Sequence, residues 1–365
     1  MKEKDKFRDS EIQQPDNSRL AKEIRRRQAQ KDRFMTKMDR LFGFILLSAL
    51  ILGCAGLGLL YILEKGPSES LRDSFVMTMQ ETRRFDFISN IFLEQETINE
   101  IKSAADDFAK YVPVKNTMQN IETASLSAQE VHVELAQDDD GDGIIFEEIK
   151  GGGYIGYMIT VLDPTRIIIG TPDSFGGVGW TMEDLVKKYD AIGGVNGGGF
   201  KDEGGTGSGG LPVGLTIIDG KSYGDTNGES AFVGFDANGK MYFGYFNQWL
   251  AEYFGIVNGV SFGPMLIVDG EPAPKGSLGS GVNPRTAIAQ RSDGAVMMLC
   301  IDGRQVHSMG ATYQDCIDIF LARGAVNAIN MDGGSSTTMY YNGEYVNSPS
   351  GTSTSRLFPS VFLFK

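Results

Sequence analysis

The hydrophobic pattern of the chain changes twice, first after residue 63 and again near residue 130. Residues 42–63 are apolar and uncharged throughout. A helix of this length rises about 33 Å, which is enough to cross the hydrocarbon core of a bilayer. The flank before it is basic, with Arg25, Arg26, Arg27, Lys31, Arg33, Lys37 and Arg40. The positive-inside rule therefore predicts a single-pass plasma-membrane anchor, with the N-terminus cytoplasmic and the larger C-terminal part extracellular.

Two alternatives to an uncleaved anchor are a cleaved signal peptide and a lipoprotein signal. A signal peptide has a shorter apolar core and a small-residue cleavage site. Leu52-Gly53-Cys54 resembles a lipoprotein processing site, but nine more apolar residues follow Cys54. We favour the uncleaved anchor, preceded by a basic cytoplasmic tail over residues 1–41.

Residues 64–129 show helical spacing followed by polar sequence. Thr97-Ile98-Asn99-Glu100 has the form of a capping box, and Ile98, Ile101, Ala105 and Phe108 recur at helical intervals. Pro113 would end this helix, and residues 115–130 read as a linker. We predict a helical stalk or linker over residues 64–129.

From residue 130 onwards the pattern is that of strands and turns, with two helices. The predicted elements are strands over 154–162 and 166–170, hairpins over 231–246 and 286–301, and helices over 181–189 and 313–323. Thr181 and Thr312 precede the two helices as N-caps, and Gly324 stops the second. We predict an α+β fold for residues 130–365: a strand-rich, mixed-sheet domain with few helices.

Charge and cysteine content narrow the classes of function. The net charge is −13, and residues 1–40 carry +5, so residues 64–365 carry −18. An acidic body argues against nucleic-acid binding, which needs a basic face. Three cysteines do not form a disulfide framework. We expect Cys300 and Cys316 to be buried free thiols.

Two apolar runs end in an aspartate followed by glycine. The run 325–331 ends at Asp332, and Gly333, Gly334, Ser335 and Ser336 follow. The run 296–301 ends at Asp302, followed by Gly303 and Arg304. A carboxylate beside backbone N–H groups and hydroxyls suits an anionic, oxygen-rich substrate. Two such acids could supply a general acid and a base or nucleophile, but an Asp-Gly turn between strands is the simpler interpretation.

Two further segments could bind an anion. Asn196 is followed by Gly197, Gly198 and Gly199, whose free backbone can approach a ligand closely. Arg285 and Thr286 open an apolar strand, and a guanidinium grips phosphate or carboxylate through a bidentate fork. The simpler interpretations are a flexible loop and a surface arginine at a strand start.

Histidine and zinc chemistry have little support, and one metal candidate remains. The only histidines are His132 and His307, and no His/Cys cluster supports zinc. Asp138, Asp140 and Asp142, followed by Gly143, begin like a calcium loop, but the closing position, 149, is Ile. Calcium is thus the one candidate cofactor, and an acidic turn is the alternative.

Taken together, the motifs of residues 150–365 resemble the phosphodiester glycosidases, many bacterial members of which are labelled exopolysaccharide biosynthesis proteins. The resemblance rests on the ordered set Asn196–Phe200, Pro284–Ala287, Asp302–Arg304, Asn330–Ser336, Asn347-x-Pro349 and Arg356. Two departures are an extra glycine before Phe200 and Ser335 in place of a third glycine. Neither departure removes a charged group.

The resemblance implies a hydrolase that cleaves sugar-1-phosphodiester bonds in cell-envelope or exopolysaccharide glycans, and the anchor over residues 42–63 predicts that it is membrane-anchored and extracellular. It implies Asp332 as the catalytic carboxylate and Asp302 as a second acid. Substrate or phosphate contacts would come from Asn196, Gly197, Gly198, Arg285, Thr286, Arg304, Gly333, Gly334, Ser335, Ser336, Asn347 and Arg356. No cofactor is required by this chemistry. The expected partners are the glycan substrate and, through residues 42–63, the bilayer. The alternatives are a non-catalytic envelope glycan-binding or assembly protein and a calcium-dependent phosphodiesterase.

Overall fold

A computed structural model describes residues 17–81, 86–111, 136–173, 175–201, 208–273, 281–350 and 356–365. The chain divides into two compact units, residues 1–62 and 63–365. The helices are α1 Asn17–Lys65, α2 Glu69–Glu81, α3 Gln95–Tyr111, α4 Met182–Tyr189, α5 Gln248–Tyr253 and α6 Tyr313–Leu321. The expected linker over 115–130 and the expected stop at Pro113 lie outside the described residues.

Helix α1 contains the apolar run of residues 42–63, and nearly all side chains of that run are exposed. Within the described part of the chain, one helical stretch, Arg25–Lys65, is long and apolar enough to cross a membrane. A signal sequence near an N-terminus would have the same length and composition. The apolar helix is thus either a membrane span or a signal sequence.

The helical expectation for the following segment is confirmed where the structure describes it. Helices α2 and α3 flank a short 3-10 turn, Asp86–Asn90. Their core contains Val76, Leu93, Ile98 and Ile101. Helix α3 begins at Gln95, so Thr97 lies inside its first turn and is not the N-cap. The helix starts earlier because Gln95 and Glu96 also have good helix propensity.

The described residues of the second unit also contain seventeen strands. In chain order they are β1 Ile144–Gly151, β2 Tyr154–Val161, β3 Ile167–Gly170, β4 Gly193–Asn196, β5 Leu215–Ile218, β6 Lys221–Gly224, β7 Ser230–Asp236, β8 Met241–Phe246, β9 Ile256–Ser261, β10 Met265–Val268, β11 Glu271–Pro272, β12 Arg285–Arg291, β13 Val296–Ile301, β14 Ala325–Met331, β15 Met339–Tyr341, β16 Glu344–Tyr345 and β17 Val361–Phe364. Both predicted hairpins, β7–β8 and β12–β13, are present with their expected turns.

The strands form three sheets. Their strand orders are β1-β2-β13-β12-β14-β10-β11, β16-β15-β4-β17-β3 and β6-β5-β9-β7-β8. The expected strand-rich α+β class is confirmed. Every strand pair of the described residues is antiparallel, so the expectation of mixed sheets is wrong.

One apolar core joins the three sheets. Ile329 and Met298 come from the seven-stranded sheet, Val195 and Phe362 from the second, and Val260 from the third, and all five are fully buried. Each such side chain stabilises the fold by about 1.5–3 kcal/mol. Helix α6 covers the opposite face of the seven-stranded sheet. Strands β12, β13 and β14 are therefore buried on both faces, which explains their nearly continuous apolar sequence.

The two helices predicted in this domain begin at the expected caps. Thr181 accepts a hydrogen bond from the Asp184 N–H at the start of α4. Thr312 and Asp315 form a reciprocal capping box at the start of α6. Each cap satisfies N–H groups that have no partner within the helix. Helix α5, capped by Asn247, was not predicted, because its six residues are too short for a periodic signal.

Candidate active site

The two Asp-Gly turns emerge at the same end of the seven-stranded sheet. Thr286 of β12 pairs with Cys300 of β13 on one side and with Met331 of β14 on the other. Asp302 and Asp332 follow those two strands. Because β12 lies between them, strand spacing separates their backbones by about 10 Å.

Asp332 is held by its backbone beside the glycine segment after β4. Its N–H donates to the Gly197 carbonyl at 3.3 Å, and its carbonyl accepts from Asn196 Nδ2 at 2.6 Å. A 3-10 turn, Gly334–Ser336, follows at once, and the Gly334 N–H donates to the Pro284 carbonyl at 3.0 Å. The backbone of Asp332 is therefore held where β14 and the end of β4 meet.

Asn196 is a buried junction between strands. Its Oδ1 accepts from Thr286 Oγ1 at 2.7 Å and from the Thr338 N–H at 3.1 Å, while its Nδ2 donates to the Asp332 carbonyl. Asn196 is 1% exposed and Thr286 is fully buried. The structure thus gives both side chains a framework role, and their contact with substrate stays a prediction.

The three glycines after Asn196 are required by close packing. A Cβ at Gly197, Gly198 or Gly199 would lie 2.9 Å from the Ser360 carbonyl oxygen, 2.7 Å from the Ser261 carbonyl oxygen or 2.7 Å from the Phe262 ring, respectively. Real Cβ atoms do not approach neighbours this closely. The glycines let the end of β4 pack closely against the segments beside β17 and β9, and this packing accounts for them without any ligand.

Two guanidinium groups converge on the turn after Asp332. Arg304 donates from Nη2 to Asn283 Oδ1 at 2.9 Å, and its Nη1 lies 3.3 Å from the position that a Cβ of Gly334 would take. Gly334 has φ of +61°, where glycine is favoured. Arg356 donates from Nε to Ser336 Oγ at 2.7 Å. This turn consequently has concentrated positive charge in an otherwise acidic domain.

Arg356 also connects the turn to the glycine segment. Its Cζ lies 5.0 Å from the centre of the Phe200 ring, a cation–π distance. Phe200 follows the three glycines directly. The glycine segment and the Asp332 turn thus share one arginine.

Arg285 is directed away from this turn. Its guanidinium stacks over the Tyr313 ring at 4.1 Å and donates to the carbonyls of Ala311 at 3.1 Å and Gly281 at 2.7 Å. It is 4% exposed. These contacts hold the start of β12 against α6, and the phosphate contact expected of Arg285 stays a prediction.

Asp302 is a buried acceptor. One carboxylate oxygen accepts from Asn347 Nδ2 at 3.0 Å, and the two oxygens accept from the Ser348 N–H at 2.9 and 3.1 Å. Burial raises the pKa of the Asp302 carboxyl, while the hydrogen bonds from Asn347, Ser348 and His307 oppose that rise. Its carboxylate joins the loop after β13 to the segment after β16.

Asn347 continues this connection. Its Nδ2 also donates to the Thr337 carbonyl at 3.0 Å, and its Oδ1 accepts from the Met339 N–H at 2.7 Å. Asn347 is 5% exposed. Like Asn196, it holds the segment just after the candidate turn, and a substrate contact is still a prediction for it.

The sequence did not indicate two features of this region. His307 lies 3.6 Å from Asp302 through its Nε2, although histidine had little support as a functional residue. Asn283 orients Arg304. Neither partner shows a sequence signal, because each contact depends on how a loop folds back.

The two free cysteines of the domain are buried, as expected. Burial raises the pKa of the Cys316 thiol to about 12 and raises the pKa of the Cys300 thiol further. A buried, protonated thiol is a poor nucleophile. Covalent cysteine catalysis is therefore disfavoured for both.

The acidic turn before β1 brings three carboxylates together. One oxygen each from Asp138, Asp140 and Asp142 lies within 4.8 Å of the others. Asp138 accepts the N–H groups of Gly141 and Gly143, as an acidic turn does without metal. Ile149, at the closing position of a calcium loop, is buried in β1. Calcium binding stays a prediction.

Comparisons with known proteins bear on the carboxyl half of the chain. Residues 189–365 match the phosphodiester glycosidase family. This confirms the resemblance that the motifs indicated. The matched region contains both Asp-Gly turns, both arginines of the candidate turn and the Asn196 junction.

Two curated proteins and a solved structure are among those similar to this chain. The SPbeta prophage-derived uncharacterized protein YomE of Bacillus subtilis is 31% identical over 198 residues, 51% of this chain and 29% of that protein. Mouse N-acetylglucosamine-1-phosphodiester alpha-N-acetylglucosaminidase is 26% identical over 225 residues, 55% of this chain and 42% of that protein. This chain thus spans less than half the length of either relative.

The solved structure is the catalytic domain of zebrafish N-acetylglucosamine-1-phosphodiester alpha-N-acetylglucosaminidase, auto-inhibited by its pro-peptide. It superposes with a TM-score of 0.51 at 23% identity and covers 60% of this chain and 81% of that one. At this identity the similarity supports the fold.

Proposed function

We propose that this protein hydrolyses sugar-1-phosphodiesters at the turn that follows Asp332. The observation that carries the proposal is the convergence of Arg304 and Arg356 on Gly334–Ser336, directly after that carboxylate. Guanidinium groups bind a phosphodiester through its anionic oxygens. A sugar on that phosphate would then lie beside Asp332.

The chemistry needs a cation-stabilising carboxylate more than a strong acid. The bond between the anomeric carbon and the bridging oxygen breaks, and the phosphomonoester leaves with the bonding electrons. Water adds to the anomeric carbon and loses a proton, which gives a sugar with a free anomeric hydroxyl. Asp332 would stabilise positive charge developing on the sugar ring, by electrostatics or by direct attack. The two arginines would stabilise the leaving phosphate.

The location follows from the apolar helix if it is an uncleaved anchor. The basic flank of residues 25–40 would then keep the N-terminus in the cytoplasm, and the glycosidase domain would act outside the cell on envelope or exopolysaccharide glycans.

Labelling single introduced cysteines at Ser10 and Glu229 in intact cells, with a membrane-impermeant reagent, tests this topology. Reaction at Glu229→Cys alone supports it, and reaction at Ser10→Cys alone reverses it. Cys54→Ser should be the background chain.

One assay distinguishes the three candidate functions. The detergent-solubilised full chain is incubated with an N-acetylglucosamine-1-phosphodiester, with and without a calcium chelator. The proposed activity gives free N-acetylglucosamine plus a phosphomonoester, and this product pair should survive the chelator. If the product is instead a sugar phosphate, and the chelator stops its formation, the protein is a calcium-dependent phosphodiesterase that uses the Asp138–Asp142 turn. Binding without either product indicates a glycan-binding protein.

A further inference from the structure

His307 contacts the buried carboxylate of Asp302. His307 Nε2 lies 3.6 Å from Asp302 Oδ2. The two side chains differ in exposure, at 47% for His307 and 2% for Asp302. An imidazole in contact with solvent therefore touches a carboxylate that is shielded from it.

The loop that carries His307 is fixed at its base. The Arg304 N–H donates to the Met309 carbonyl at 3.0 Å, and the Gln305 N–H donates to the Ser308 carbonyl at 3.0 Å. Ser308 Oγ accepts from the Ile155 N–H at 3.1 Å and donates to the Asp302 carbonyl. The histidine is thus held beside Asp302 by a closed turn anchored to β2.

A second connection joins this loop to the segment after β16. Ser348 Oγ donates to Gln305 Oε1 at 3.1 Å, and the Ser348 N–H donates to the Asp302 carboxylate. Asn347 donates both to Asp302 and to the Thr337 carbonyl. The Thr337 N–H in turn donates to the Gly334 carbonyl at 3.3 Å. A continuous path of hydrogen bonds leads from the His307 loop to the arginine-flanked turn.

We propose that His307 is a positioning residue: its imidazole keeps the Asp302 carboxylate an acceptor for Asn347 and Ser348, which hold the turn Gly334–Ser336. The proposal rests on the proposed function, since that turn is the candidate phosphate contact. Asp302 is then part of the framework of the site, and the protonation of its own carboxyl gives that framework a pH dependence.

The electrostatic environment gives the sign of the pH dependence. Burial favours the neutral carboxyl, and a protonated His307 favours the carboxylate. Asp302 also interacts with Tyr157 on β2 and Cys300 on β13, and its negative charge helps raise the pKa of both. Neither offers positive charge. Protonated His307 therefore extends to lower pH the range in which Asp302 accepts two N–H donors.

The first test compares His307→Gln with Val306→Ala in the detergent-solubilised full chain. Val306 is the neighbouring residue and is fully exposed. In His307→Gln the acid limb of kcat/KM should move to higher pH by about half a unit, the size expected for a half-exposed ion pair. On that limb kcat/KM falls about threefold, and the plateau is retained. His307→Lys, which keeps a positive charge, should restore the limb, and Val306→Ala should leave it unchanged.

The second test does not require turnover. The Asp302 carboxyl carbon is labelled with 13C, assigned through Asp302→Asn, and titrated together with the Ser348 amide proton. Both midpoints should move up together by about half a pH unit in His307→Gln. Unchanged midpoints overturn the proposal. A moved Asp302 midpoint with an unmoved Ser348 midpoint or an unmoved acid limb overturns the positioning role. If the wild-type chain hydrolyses no sugar-1-phosphodiester, the proposed function is wrong. The titration would still show whether His307 affects the Asp302 carboxylate.

Discussion

The turns Asp302-Gly303-Arg304 and Asp332-Gly333-Gly334 are similar in sequence and different in surroundings. Each acid ends an apolar strand of the same sheet, and only β12 separates the two strands. Asp302 is 2% exposed and accepts hydrogen bonds from two residues of another segment. Asp332 is half-buried and lies beside a turn flanked by two arginines.

The difference shows that one pattern can serve two purposes within one site. A carboxylate that already accepts framework N–H groups is poorly placed to share its oxygens with a substrate. A carboxylate beside two arginines, one of them exposed, is well placed to act on an anionic substrate. We therefore assign the chemical step to Asp332 and the support of the site to Asp302.

The largest expected effect is a difference in kcat between the asparagine variants of the two acids. Asp332→Asn should lower kcat about 10²–10³-fold, because it removes charge stabilisation from the transition state. Asp302→Asn keeps the shape and one acceptor oxygen, so its kcat should fall less than about tenfold. Steady-state kinetics on one sugar-1-phosphodiester measures both. The matched control is Asp219→Asn, an exposed Asp-Gly turn after β5, which should leave kcat unchanged. Equal losses of kcat in the two variants would contradict the assignment of the chemical step to Asp332 and of support to Asp302.

A smaller rate effect should distinguish the arginines. Arg304→Lys and Arg356→Lys keep the charge but lose the guanidinium fork, so each should lower kcat/KM about 10–100-fold. The surface residue Arg291, which pairs with Asp293 in a hairpin turn, is the control, and Arg291→Lys should have no effect. Full activity in both Arg304→Lys and Arg356→Lys would contradict phosphate binding by the two guanidinium groups.

Loss of folding stability should follow the opposite order from loss of kcat, with Asp302→Ala more destabilising than Asp332→Ala. Asp302→Ala removes the acceptor of the Ser348 N–H and of one N–H of the buried Asn347 Nδ2, which keeps only its bond to the Thr337 carbonyl, and this should cost about 1–3 kcal/mol. Asp332→Ala should cost less than Asp302→Ala, because Asp332 is only half-buried and water can replace part of what its carboxylate contacts. Thermal unfolding of the full chain in detergent compares the two. A larger loss in Asp332→Ala would contradict the framework role of Asp302.

The smallest effect is a pH dependence of stability. Because burial raises the pKa of Asp302 in the folded state, the folded protein binds its proton more tightly than the unfolded chain does. This contribution to stability is complete below the unfolded pKa of about 3.9. It is lost as pH rises through the folded pKa. Asp302→Asn should therefore show a flatter stability–pH curve over that window, and a curve parallel to wild type would contradict the raised pKa.

The parts of the fold that could be predicted were local. The β12–β13 hairpin, the capping box of Thr312 and the apolar helix of residues 42–63 depend on residues close together in sequence. Strand β4, in contrast, contains two glycines and lies beside β17, whose residues are more than 160 positions away. Its burial between two partners could not be seen from its four residues.

The candidate site shows the same limit. Asp332, Arg304 and Arg356 could be chosen from motifs, and the structure brings them to one turn. The burial of Asp302 depends on Asn347, 45 positions away. The glycines after Asn196 suggested ligand contact, but close packing against Ser360 and Ser261 explains them. A motif shows which groups are present, and only the folded contacts show which groups are already used.

Hydrolysis in water enriched in 18O tests the central claim most directly. If Asp332 acts at the anomeric carbon, that carbon gains the solvent oxygen. Mass spectrometry should then find the label in the released sugar and none in the phosphomonoester. Label in the phosphate would show cleavage of a phosphorus–oxygen bond and would contradict the account.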